Sequence, residues 1–77
     1  MDTTEVEVRF DAKGDIIVLS FAWHGARYPV TSQGRQWDTD DGWHILVMTT
    51  GDRVFELVWG GRGPWQVQRA PGRELVA

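Results

Sequence analysis

The sequence predicts an all-β domain of about six antiparallel strands in a meander, making a strongly bent sheet or a small, partly open barrel. Three observations predict it. Turn signals recur along the whole chain: "DAKGD", "WHGA", the "TDDG" stretch, "TTGD" and "GGRGP". Between them lie runs of about six to eight residues rich in Val, Ile, Phe and Trp, which suit a pleated, half-buried surface. No segment sustains a helical period with capping residues.

The expected strands are 5–11, 16–23, 26–32, 43–49, 53–59 and 65–70. A two-residue turn pairs residues of opposite parity across a hairpin, so each turn sorts side chains onto faces. With Lys13-Gly14 at the first turn, Val6, Val8 and Phe10 share a face with Ile17, Leu19, Phe21 and Trp23. His tolerates a left-handed backbone, so His24-Gly25 makes the second tight turn, and the face continues through Ala26, Tyr28 and Val30. Phe21 and Tyr28 then face each other across that hairpin. A two-residue turn at Thr50-Gly51 or Gly51-Asp52 places Leu46 and Met48 with Phe55, Leu57 and Trp59. In the last strand Trp65 and Val67 alternate with Gln66 and Gln68. Burying each such large side chain is worth about 1.5–3 kcal/mol, so these residues are the expected core. An SH3-like barrel is the small architecture that this layout suggests.

The opposite faces are uneven. The first strand shows Glu5, Glu7, Arg9 and Asp11 there, as solvent demands, whereas the second shows Ile16 and Val18. The 43–59 hairpin shows Trp43, Ile45, Val47, Val54 and Val58, interrupted by Glu56. Contiguous apolar surface of that kind marks an interaction site when nothing within the chain covers it. Trp43, Ile45, Val47, Val54 and Val58, with Trp37 beside them, are therefore the candidate partner-binding residues.

Size and composition set outer limits. Seventy-seven residues suit one domain over 1–77, with 71–77 a flexible tail; typical domains run to about 100–150 residues. A chain this short buries only about 60–65% of its unfolded surface, which makes a stabilising partner attractive. It has no cysteine, hence no disulfide and no thiolate metal site. The acidic, polar start "MDTTEVEVRF" is unlike a signal peptide. No apolar run approaches the ~20 residues of a membrane-spanning helix, so a soluble, cytoplasmic protein is expected.

The net charge of −3 disfavours nonspecific attraction to phosphate. Residues 36–52 carry Asp38, Asp40, Asp41 and Asp52 with no Lys or Arg, while residues 53–77 carry four arginines against two glutamates. That polarity suits head-to-tail contacts.

Catalytic equipment is sparse. His24 falls in a turn and His44 at the edge of a strand, and the spacing supplies no third convergent group for a metal or a catalytic pair. "WDTDDGWH" echoes a calcium loop but fails it, because glycine comes at position five and Thr49 stands where glutamate belongs. Ser20 and Ser32 lack a nucleophile-elbow context, and "GGRGP" is followed by neither a helix nor a Lys-Ser/Thr pair. The expectation is a nonenzymatic protein with no cofactor and no metal. Trp37 and Trp43 bracket Asp38, Asp40 and Asp41, a combination that suits proline-rich or arginine-containing peptides.

The segments "VEVRFD", "FAWHGARYPV", "GDRVFELVW" and "WQVQR" cover most of residues 6–69. On them the chain resembles a small uncharacterised bacterial all-β domain family. Members of that family are sometimes associated with error-prone (Y-family-type) DNA polymerase components. The resemblance implies an accessory role in DNA damage tolerance, with no functional residues to carry over. The Asp-rich 36–52 segment departs from the more Arg-rich loops of those relatives. The function expected from the residues is thus a noncatalytic interaction module, self-associating or binding a protein partner through its apolar sheet face. The alternative is a single-stranded nucleic-acid-binding accessory domain using Trp and Arg.

Overall fold

A computed structural model describes residues 2–70. Over the described residues the chain is all-β, with no helix and seven antiparallel strands in one strongly curled half-barrel sheet. The strands are β1 (Asp2–Thr4), β2 (Val6–Phe10), β3 (Ile16–Trp23), β4 (Ala26–Thr39), β5 (Gly42–Thr49), β6 (Arg53–Trp59) and β7 (Trp65–Ala70). Their order in the sheet is β1-β7-β6-β5-β4-β3-β2. The expected meander is present from β2 to β7. The count rises from six to seven because Asp2–Thr4, ahead of the first expected strand at 5–11, forms β1 on β7, while the 5–11 strand is β2, on β3. Consecutive residues thus sit on opposite edges of the sheet, and curling brings those edges together. Two bonds tie the seam: the Ala22 amide donates to the Glu5 carbonyl at 3.0 Å, and the Thr4 hydroxyl donates to the Ala22 carbonyl. The proposed tail, 71–77, lies outside the described residues.

Turn chemistry decides which side chains face inward. At His24-Gly25 both residues are left-handed (φ 48° and 79°), as a two-residue hairpin loop of primed type requires. Phe21 pairs with Tyr28, and their rings stack at 5.7 Å, as expected. Two other turns are one residue longer than expected. In the first, the Asp11 carboxylate accepts the Lys13 and Asp15 amides at 2.9 Å, and Gly14 is left-handed, so three residues separate Asp11 from Asp15. In the β5–β6 loop, Thr49 pairs with Arg53, leaving Thr50, Gly51 and Asp52 in the turn. An odd loop pairs residues of like parity.

The 43–59 faces are therefore exchanged. Ile45 opposes Leu57 and Val47 opposes Phe55, and all four belong to the core with Val18, Phe21, Trp65 and Val67. Leu46 opposes Glu56 and Met48 opposes Val54 on the other side of the sheet. In β3 a bulge makes a second correction: Glu7 pairs with Ser20 but Val8 with Val18, leaving Leu19 as the extra residue. Val18 and Ile16 consequently turn in and Leu19 stands 39% exposed; Phe10, opposite Ile16 at the end of the edge strand β2, is 58% exposed.

The long strand β4 serves both halves of the sheet. Its start pairs with β3 and its remainder with β5, through two register shifts. Where β3 and β4 part, the Gln33 side chain replaces the missing backbone ladder. Its amide donates to the Ile16 carbonyl at 2.8 Å and accepts the Val18 amide at 2.9 Å.

Candidate functional site

Directly opposed residues in an antiparallel pair share a face, and one such row crosses the core side of the sheet at its open end. Asp38 on β4 opposes Trp43 on β5, which opposes Trp59 on β6. Trp59 stacks on Trp65 of β7 at 5.3 Å and 4°, and Trp65 in turn opposes Thr4 of β1. Burial grades along the row: Trp65 is buried, Trp59 half-buried and Trp43 44% exposed. The Trp59 indole N–H donates to the Gly63 carbonyl at 3.3 Å, fixing the "GGRGP" loop over the stack. Gly42 permits the close packing of the two hairpins here. Its φ is +122°, and a Cβ at this position would lie 2.2 Å from the Trp59 carbonyl oxygen.

The other face of the same hairpins carries a polar chain. His44 is 8% exposed, and both ring nitrogens are engaged: Nδ1 at 2.7 Å from Glu56 Oε2 and Nε2 at 2.7 Å from Thr39 Oγ1. Glu56 Oε1 accepts the Gln68 amide at 3.2 Å, and the Thr39 hydroxyl oxygen accepts the Asp41 amide at 3.1 Å. Trp37 stacks on the imidazole at 5.0 Å, and the Arg35 guanidinium lies over the Trp37 ring at 5.0 Å. With Nδ1–H donated to Glu56, Nε2 accepts the Thr39 hydroxyl. That gives the hydroxyl–imidazole–carboxylate order used to activate nucleophiles. Here the Thr39 oxygen is also bonded to the hairpin turn, and the chain fastens the tip of β4–β5 to β6 and β7. His44 also forms a wall of a cleft of about 350 Å³, with Asp41, Val58, Gly60, Pro64 and Gln66.

Another cleft, of about 620 Å³, lies elsewhere, at the seam lined by Asp2–Glu5, Ala22–Gly25 and Pro64. Two of its polar groups are matched to each other: His24 lies 3.3 Å from the Asp2 carboxylate and stacks on Trp23 at 4.0 Å. Among the described residues no three His, Cys, Asp or Glu side chains are grouped to hold a metal ion. No helix there is long and apolar enough to cross a membrane.

The six candidate binding residues from the sequence divide four ways. Ile45 and Val47 are in the core, because the three-residue β5–β6 loop turns them inward. Val54 and Val58 lie on the opposite face and are 1% and 5% exposed, so the chain itself covers them. The uncovered apolar stripe that made self-association attractive is therefore not present on this hairpin. Trp43 alone of the six is a large exposed hydrophobic residue. Trp37 is half-buried against His44 on the face opposite Trp43, so the two do not bracket one surface.

Sequence reasoning missed Trp59, Trp65 and Asp38 as partners of Trp43, and it missed Thr39 and Glu56 as partners of His44. One signal was available for the second group: His44 and Glu56 are the lone ionisable residues inside two otherwise apolar strand runs. No known protein family, curated protein or solved structure matches the chain.

Proposed function

We propose that the protein is a noncatalytic interaction module that binds a protein partner at the Asp38–Trp43–Trp59–Trp65 row. The observation that carries this reading is Trp43. It is a large aromatic ring left 44% exposed on the core side of the sheet, continuous with a parallel tryptophan stack. Tryptophan supplies much of the energy of peptide recognition from a small area, with few rotatable bonds to immobilise. The sheet supports it rigidly, since Trp59 and Trp65 are held by strand pairing and by the Gly63 carbonyl. The alternative of single-stranded nucleic-acid binding fits this surface less well. Asp38 lies in the row and Asp40 and Asp41 form the adjacent turn, so a phosphate backbone would meet like charge.

Selection from a random peptide display library, run in parallel on the wild type and Trp43→Ala, tests the proposal. The expected outcome is a set of sequences enriched on the wild type and absent from the variant. Enrichment indifferent to Trp43 would reject the site.

A further inference from the structure

Three aromatic surfaces of this molecule invite a cation, and two of them already hold one. Arg35 lies over the Trp37 ring at 5.0 Å, and Arg69 lies over the Phe55 ring at 5.4 Å. Both distances fall within the ~6 Å over which a guanidinium is attracted to a ring face. Among the described residues, no lysine or arginine is recorded over Trp43, the most exposed of these rings.

The electrostatic surroundings point the same way. Asp38 is the direct cross-strand neighbour of Trp43 on the same face, and Asp40 and Asp41 form the turn that joins their strands. Residues 36–52 contain no lysine or arginine. The loop over Trp59 contributes one cation, Arg62, against these three carboxylates. A ring face with a carboxylate beside it offers both halves of a guanidinium site: the plane stacks on the indole while its edge donates to the carboxylate.

Resting on the reading of the row as a protein-binding surface, we infer that its ligand is an arginine-bearing peptide segment of a partner protein. The arginine seats between Trp43 and Asp38, and the neighbouring backbone lies along Trp59. Arginine fits better than lysine because a planar guanidinium stacks and hydrogen-bonds at once, whereas an ammonium is a compact, strongly hydrated charge.

The test titrates 15N-labelled full-length protein with N-acetyl-arginine amide and with N-acetyl-citrulline amide, an uncharged near-isostere, following the Trp43 indole resonance. Millimolar, saturable binding of the arginine probe is expected, with the citrulline probe weaker by about tenfold. Asp38→Asn should weaken arginine binding about threefold and flatten its salt dependence. Trp43→Leu keeps apolar bulk but removes the ring, and it should abolish the shift at Asp38. Phe10→Ala, which alters an exposed ring on β2, should leave the titration unchanged. Equal binding of the two probes, or no binding of the arginine probe, overturns the inference. The peptide selection separates this failure from that of the broader reading. Trp43-dependent sequences without basic residues would remove the arginine and keep the surface, whereas no Trp43-dependent sequence would remove both.

Discussion

Phe21, Trp23, Tyr28 and Phe55 meet at ring-centroid distances of 4.9–5.9 Å, pack edge-on as well as face-on, and form the aromatic centre of the core. Trp43, Trp59 and Trp65 form a row instead, with one near-parallel stack and a graded exit to solvent. Both groups lie on the core side of the same sheet. The difference is in what stands around them. The first group is shared by β3, β4 and β6, with the Thr4 and Ala22 bonds at its seam and Arg69 over Phe55. The second lies where β4 and β5 run out to their turn, and among the described residues no strand crosses beyond Trp43. Two clusters of the same residue type thus have different work, one holding the fold together and the other presenting a ring.

The comparison breaks most readily at Phe55. Phe55→Ala should cost about 3–5 kcal/mol, since it opens a cavity among three other rings. Trp43→Ala should cost below about 1 kcal/mol despite removing a larger side chain. Urea unfolding of both variants measures this directly. Equal losses would mean that the row is structural and that Trp43 is not a free surface.

Gln33 sharpens the contrast from the side of the fold. Gln33→Leu removes the amide that spans β3 and β4 and leaves the Val18 N–H and the Ile16 carbonyl without partners. The expected loss is about 2 kcal/mol, with hydrogen exchange accelerated at Val18 and unchanged in the β5–β6 ladder. Uniform acceleration across the sheet would show that the β3–β4 junction is not a separate unit. The smallest effect has the opposite sign. Thr49 is buried, and its hydroxyl is the one buried side-chain polar group without a partner among the described residues. Thr49→Val keeps the shape and the β-branch while removing that group, so stability should rise by about 1 kcal/mol. A decrease in the urea midpoint would mean that the hydroxyl has a partner in solution.

Much of the fold was legible along the chain. Strands β3, β6 and β7 fall on the residues that the alternation marks, and the His24-Gly25 turn with its Phe21–Tyr28 pair follows from backbone preference at two adjacent positions. The site was less legible, because it is made across strands rather than along them. Trp43 was marked as a binding residue for its place beside Ile45 and Val47, and those two turned out to be core. It remains a candidate because the sheet ends just beyond it.

What the sequence by itself determined is the antiparallel succession of strands from β2 to β7 and the apolar side chains that alternate along them, because period-two alternation and turn residues act over a few bonds. What only the tertiary structure decided is which of two apolar faces became the interior. One additional residue in the Thr50–Asp52 turn and one bulge at Leu19 invert the pairing parity. With apolar residues on both faces of β5 and β6, no local pattern penalised either choice. The decision fell to packing: the side carrying Phe55, Leu57, Ile45 and Val47 meets Phe21 and Val18 across the curled sheet, and that contact exists once all seven strands have closed on one another.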